Sequence, residues 1–527
     1  MAATGDRMSV SRLTGLVLGP ILFLIVAFVL PPEVFRTSAE ELLNGRGDPD
    51  DLLLLTRSMS IILGLLVLMV TWWLTEAIPL PATALLPPVV LPWMECYGVG
   101  PSGLQPFTFK SVLASFASPV IFLFLGGFLL AAAMRKWGLD RRLTFWLLAR
   151  GRIASDTHYV LLGVMTLTAF LSMWISNTAT AALMLPVGLA IVEKTGTGGN
   201  ENFSKAMMLA IAWSASVGGL GTIIGSPPNA IAIGILDTAL AHTQGYSGIT
   251  FVGWMMIGVP IVIIFIPVIW RVLLFFFPPE RRLIEGAGRQ FQKEHRALGS
   301  WSSGERLTGM VFLLAVVLWV SNPFWDAILP GSMADTLGGV DEFVIGLFAG
   351  LVLFVIPVRL RNPEGVLTWH DTRWVDWGVL ILFGGGIALS DALFQTGVAG
   401  WIARNVIDMV GFQSIVVLVL VVILLVDFLT EIASNTAVTT MIVPVVISVA
   451  IATGVDPVTL SIAAALAASM AFMLPVATPP NALVYGTGKV TLRDMVRAGF
   501  LLDVIGWICV FVVLWFFGSV VFGIVTF

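Results

Sequence analysis

The chain has 527 residues, of which 57% are hydrophobic and only 11% charged, with a net charge of -4. Ordinary soluble domains carry roughly 25% charged residues, so this composition excludes a soluble globular protein for want of polar surface. No block of positive charge points to nucleic acid, and the two cysteines, Cys96 and Cys509, form neither a metal nor a disulfide pattern.

Taken in chain order, apolar runs near or beyond the ~18 residues of a membrane helix predict eleven crossings. They lie at 12–30, 58–76, 80–94, 112–135, 206–240, 250–273, 307–325, 341–357, 375–395, 460–487 and 499–522. The first run follows Arg7 and Arg12, but Pro31-Pro32-Glu33 lacks the small residues of a signal cleavage site. It reads as the first membrane helix. Two further apolar stretches, 157–195 and 415–450, carry polar breaks near their middles. They read as re-entrant helical hairpins, each entering and leaving by one face. The alternative is a straight span with a polar kink.

Those breaks belong to a repeat. Ser176-Asn177-Thr178 recurs as Ser434-Asn435-Thr436, and Ser226-Pro227-Pro228-Asn229 recurs as Thr478-Pro479-Pro480-Asn481, at offsets of 258 and 252 residues. Gly126, Gly127 and Gly138 match Gly385, Gly386 and Gly397, and Pro186 matches Pro444. A lone Ser-Asn-Thr is a helix cap, and a lone Pro-Pro is a kink. Two ordered pairs at nearly constant offset instead mark the interrupted helices at which transporters bind their cargo. The implied organisation is a first repeat over 12–273, a polar linker over 274–306 and a second repeat over 307–522. Arg141–Ala149 and Ile402–Met409 read as matching interfacial helices.

Loop charge sets orientation, because Lys and Arg gather on the cytoplasmic side. With both motif stretches as non-crossing hairpins, the four basic clusters fall inside: 135–152, 281–306, 359–373 and 489–497. The loop 31–57, with six acidic residues against three arginines, falls outside. The N-terminus is then cytoplasmic, the C-terminus periplasmic, and the hairpins open to opposite faces. The expected location is a plasma membrane of bacterial inner-membrane type, in multi-pass form.

Ser, Asn and Thr supply hydroxyl, carbonyl and amide groups without fixed charge. Their carbonyls and hydroxyls suit a hard cation, and amides at helix starts suit an anion. The residues alone leave the ligand open between ion, anion and zwitterion. Glu431 reads as a residue that orients the second hairpin or titrates, and Asp427 as a weaker version of it. Asp503 reads as interfacial, and Glu76 as an interfacial residue or half of an ion pair. Trp72, Trp73, Trp93 and Trp301 read mainly as an anchoring belt. No phosphate-binding loop supports ATP-driven pumping, and no nucleophile–base pattern supports an enzyme.

The two Ser-Asn-Thr motifs and two Pro-Pro-Asn segments resemble those of the divalent-anion:sodium symporters. So do Trp73-Leu74-Thr75-Glu76-Ala77-Ile78-Pro79-Leu80-Pro81 and Leu474-Pro475-Val476-Ala477-Thr478-Pro479-Pro480-Asn481-Ala482. The resemblance covers about residues 12–522. It implies an all-α polytopic membrane protein: an inverted-repeat, elevator-type carrier with about eleven transmembrane helices and two re-entrant hairpins, working as a homodimer in the lipid bilayer. It implies co-transported sodium at Ser172, Ser176, Asn177 and the Gly225 carbonyl, and again at Thr430, Asn435 and the carbonyls of Ala433 and Ala477. It implies a small dicarboxylate anion against Asn177, Thr178, Asn435 and Thr436, with Pro228 and Pro479 shaping the broken helices. The expected activity is sodium-coupled symport of succinate, malate or fumarate. Sodium-independent exchange and sodium-coupled citrate or sulfate carriage share the pattern, and an anion channel is the reading from a different class.

Overall fold

The computed structural model describes residues 10–43, 48–149, 156–194, 201–241, 243, 246, 248–283, 287–328, 330–337, 339–359, 362–410 and 414–522. Among them, nine helices are long and apolar enough to cross a membrane by length and composition. They include Pro49–Thr75, Pro119–Trp137, Phe251–Phe276, Trp377–Thr396, Asn435–Thr453 and Leu492–Gly518. Shorter apolar helices include Thr157–Ser172, Glu342–Val355 and Pro457–Ala467. Two small antiparallel ribbons, Tyr97–Gly100 with Gly103–Pro106 and Pro357–Arg359 with Asn362–Gly365, add to the predicted helices.

The two halves run through the same series of elements. Pro119–Trp137 stops at Gly138 and Trp377–Thr396 stops at Gly397, both glycines being left-handed at φ 70° and 76°. A left-handed residue ends a helix at little cost only if it lacks a Cβ, which explains why these glycines keep their place in the repeat. Each stop is followed by a short helix, Leu139–Leu148 and Val398–Val410. They span the two stretches expected to be interfacial helices, and they dock on different loops. Arg142 donates to Glu305 at 2.7 Å and to the carbonyls of Leu298, Gly299 and Ser300. Arg404 donates instead to Glu41 and to Ser38 Oγ, in the acidic loop.

Next in each half come two helices joined by a tight turn, Thr157–Ser172 with Asn177–Lys194 and Ile415–Ile432 with Asn435–Thr453. The following segments, 206–240 and 460–487, are not continuous helices. The first is Asn202–Gly218 and Pro227–Leu240 around two short 3-10 turns. The second is Pro457–Ala467 and Pro479–Tyr485 around an unwound stretch. Prolines at the first two helical positions start both distal pieces, where a missing N–H costs nothing. The predicted span 80–94 is likewise split, into Leu80–Thr83 and Leu86–Trp93.

The halves interlock. Asn177–Lys194 packs on its own Asn202–Gly218 and on Pro479–Tyr485 of the other half, while Asn435–Thr453 packs on Pro457–Ala467 and on Pro227–Leu240. Pro119–Trp137 meets Glu342–Val355 backbone to backbone: a Cβ on Gly126 would lie 2.1 Å from the Gly346 carbonyl oxygen. Small residues permit such approach where no water drives helices together.

Two expectations need correction, and a third is resolved. Asp503 is not interfacial; it is 2% exposed and lies well inside Leu492–Phe522. Trp73 is not in an exposed belt; it is 1% exposed and donates to the Leu80 carbonyl, whereas Trp93 and Trp301 are exposed. Glu76 takes both of its readings at once, as an exposed helix end 3.8 Å from Arg12.

Candidate functional site

Each Ser-Asn-Thr lies at the turn between the paired helices. Asn177 and Asn435 begin the second helix of each pair, and Ser176 Oγ accepts weakly from Ala179 N–H at 3.4 Å. The backbone N–H groups of these first turns have no partner within the helix, so they present a positive dipole end to the site.

Behind each asparagine stands a hydroxyl from one turn before the motif. Ser172 Oγ lies 2.8 Å from Asn177 Oδ1 and 2.7 Å from the Ala215 carbonyl oxygen. Thr430 Oγ1 lies 2.7 Å from Asn435 Oδ1 and 2.7 Å from the Ala468 carbonyl oxygen. Both hydroxyl residues are fully buried. The triangle is thus built twice: hydroxyl, carboxamide, and a carbonyl at the end of the next helix. The Asn177 amide oxygen also faces the carbonyls of Ala215, at 3.0 Å, and Gly225, at 3.2 Å. Turned over, its nitrogen donates to these carbonyls and to Ser172 Oγ.

The Pro-Pro-Asn asparagines hold the breaks. Asn229 Nδ2 donates to the carbonyls of Gly219 at 2.9 Å and Thr222 at 2.8 Å, ten and seven residues back. Asn481 Nδ2 donates to Ala471 at 3.2 Å and Leu474 at 3.0 Å, again ten and seven back. The broken helices leave these carbonyls without their usual i+4 partners, and the asparagine side chains donate to them instead. Both asparagines are fully buried. Ser226 Oγ and Ser469 Oγ, 3.4 Å apart, link the two breaks.

The breaks are tied to the helix pairs by different groups. In the first half, Thr222 Oγ1 donates to the Met173 carbonyl. In the second half, Glu431 accepts from the N–H groups of Phe472, Met473 and Leu474 at 2.6, 2.8 and 2.8 Å. Glu431 thus holds the unwound segment that leads to Ala477 and Thr478.

The remaining expected residues are less closely joined. Thr178 and Pro479 are exposed, Thr436 is 9% exposed, and Pro228 is buried. Ser176 lines a cavity of about 600 Å³ that follows the second helix of the first pair and reaches Arg135, Arg141, Glu294 and Asp376. The carbonyls of Ala433 and Ala477 have no hydrogen bond to Thr430 or Asn435 among those described; Ala468 supplies that carbonyl. Sequence reasoning missed Ala215, Ala468 and the back-reaching asparagine side chains. The Pro-Pro-Asn repeat was the available signal for the asparagines, and no side-chain signal marks a carbonyl.

The profile of the sodium:sulfate symporter transmembrane region matches residues 51–524. The sodium-dependent dicarboxylate transporter SdcS of Staphylococcus saprophyticus is 36% identical over 98% of this chain and 93% of its own length. SdcS of Staphylococcus aureus is 34% identical over the same shares. Two solved structures share the fold at 14% identity: the YdaH transporter of Alcanivorax borkumensis, with a TM-score of 0.55, and MtrF of Neisseria gonorrhoeae, with 0.56. They cover 82% and 85% of this chain, and each is covered over 96% of its own length. The chain is a multi-pass membrane transporter, not an enzyme, and it belongs to the sodium:sulfate symporter family.

Proposed function

We propose that the protein imports C4 dicarboxylates such as succinate, malate or fumarate by sodium-coupled symport. The observation that carries this reading is the twofold triangle of hydroxyl, carboxamide and carbonyl at Ser172–Asn177–Ala215 and Thr430–Asn435–Ala468. Each triangle offers neutral oxygens to a sodium ion, and each lies where a helix start can face a carboxylate. Gly225 completes the first sodium set with Ser172, Ser176 and Asn177. Ala433 and Ala477 join Thr430 and Asn435 in the second. Two positively biased tips suit an anion with two carboxylates, and sodium offsets its charge in a low-dielectric site. The Staphylococcus relatives, named as sodium-dependent dicarboxylate transporters, agree with this cargo.

The fold reading is an inverted-repeat elevator carrier, homodimeric, with the two pairs as re-entrant hairpins on opposite faces. Its support is the docking of the interfacial helices. Arg142 reaches the basic middle loop and Arg404 the acidic loop 31–57, as expected if the repeats are inverted. The N-terminus is then cytoplasmic, and the cavity at Ser176 is the cytoplasmic route to the site.

The test is succinate uptake into proteoliposomes with sodium, potassium and proton gradients varied separately. Sodium-dependent, electrogenic accumulation is expected. Uptake unchanged without sodium overturns symport, and counterflow under that condition identifies an exchanger. Competition by citrate and sulfate fixes the anion class.

A further inference from the structure

The first break is bare where it meets the first helix pair. A Cβ added to Gly218 would lie 2.3 Å from the Ala169 carbonyl oxygen, and one added to Gly221 would lie 2.8 Å from the Met173 side chain. One added to Gly225 would lie 3.0 Å from the Met173 carbonyl oxygen. At Gly219 the three nearest atoms all belong to one carboxamide: Asn177 Oδ1 at 2.3 Å, and its Cγ and Nδ2 each at 3.0 Å. The Asn177 amide thus lies across the Gly219 Cα, whichever way its oxygen and nitrogen are turned.

Backbone conformation does not call for glycine at this position. Gly219 has φ -58° and ψ -19°, right-handed values open to every residue. In such a segment glycine is the least favourable choice short of proline. What the position uses is the missing Cβ. The seat is itself braced, because the Gly219 carbonyl accepts from Asn229 Nδ2 at 2.9 Å. The Pro-Pro-Asn asparagine therefore holds the residue on which the Ser-Asn-Thr asparagine rests. From that seat Asn177 Oδ1 stands 2.8 Å from Ser172 Oγ and close to the carbonyls of Ala215 and Gly225. The second half is built otherwise. Phe472 stands four residues past Ala468, as Gly219 does past Ala215. Its ring packs on Trp213 and Phe265, and its N–H donates to Glu431.

We propose that Gly219 is a positioning residue: its bare backbone is the seat that sets the Asn177 carboxamide in the first half-site. Asn229 joins the two recurrent motifs through it. A side chain at 219 evicts the carboxamide from Ser172 Oγ and from the carbonyls around it, while Ser172 and Gly225 keep their places. The first half-site alone then loses its amide. The effect on sodium rests on the transport reading; the steric dependence of Asn177 on Gly219 does not.

A double-mutant cycle on the purified full-length protein tests the seat. In sodium-free buffer, Gly219→Ala should lower the Tm of the wild-type chain. In the Asn177→Ala chain it should leave the Tm unchanged or higher, because the added methyl group enters space the carboxamide has left. Titration calorimetry with sodium chloride, against choline chloride at equal ionic strength, reads the ligand role. Gly219→Ala should weaken sodium binding about tenfold in the wild-type chain. In the Asn177→Ala chain the change should be less than about twofold. Equal Tm losses in the two backgrounds, or an unaltered sodium affinity in Gly219→Ala, overturns the proposal. A wild-type protein that binds no sodium overturns the sodium reading instead, and the Tm cycle then decides the seat alone. Should Gly219→Ala not fold, the double variant Asn177→Ala with Gly219→Ala must still fold, and its failure overturns the proposal equally.

Discussion

The two half-sites share one skeleton and differ in how it is fastened. Ser172, Asn177, Ala215 and Asn229 correspond to Thr430, Asn435, Ala468 and Asn481, with matching partners. The fastening differs: a neutral hydroxyl, Thr222, meets a backbone carbonyl in the first half, and a buried carboxylate, Glu431, gathers three N–H groups in the second. The hydroxyl–carboxamide–carbonyl geometry is thus common to both halves, while the support behind it is free to change chemistry. Among the described residues, only the second half fastens its break with a carboxyl side chain.

The largest effect should come from the shared part. Asn177→Ala and Asn435→Ala should each lower succinate kcat/KM about a hundredfold, the worth of one or two charge-assisted hydrogen bonds. Sodium and succinate binding should weaken together, read by calorimetry on the folded protein. Wild-type transport in both variants would remove the proposed sites.

The fastening comes next. Glu431→Met leaves three N–H groups without their acceptor, at about 1–3 kcal/mol each, and should lower the Tm strongly. Adding Leu474→Thr places a hydroxyl at the position of Thr222 and should restore part of that loss. A double variant no better than Glu431→Met would show that the two fastenings are not interchangeable.

Smaller still, Asn229→Ala and Asn481→Ala each delete two hydrogen bonds of roughly 1 kcal/mol apiece. Similar drops in Tm are expected for the two. A drop in only one would break the symmetry of the breaks. The smallest effect belongs to Thr180→Val. Thr180 has a buried hydroxyl without a partner, and its counterpart Val438 has none to place. Succinate KM should change by less than about threefold, since no made hydrogen bond is lost.

Much of the skeleton was legible because side chains carry it. Constant offsets paired Ser172 with Thr430 and Asn177 with Asn435, and the glycine stops at 138 and 397 kept register. The carbonyls of Ala215 and Ala468 were not legible, since every residue has a carbonyl and only folding decides which one faces a cavity. Asp503 was misread because a charge near the start of an apolar run normally marks the interface. The helix instead begins at Leu492, eleven residues earlier, and carries the aspartate inward. The split of 206–240 and 460–487 was marked by prolines, but the continuous apolar runs concealed its extent.

The back-reaching asparagines have a further consequence. Asn229 and Asn481 tie their unwound segments into closed rings that contain no cargo atom. Those segments therefore keep their shape before any ion arrives, and binding loses little chain entropy to ordering them. On the proposed reading, sodium would enter a mould already cast. Hydrogen exchange at residues 219–225 and 471–477 should stay slow in sodium-free buffer.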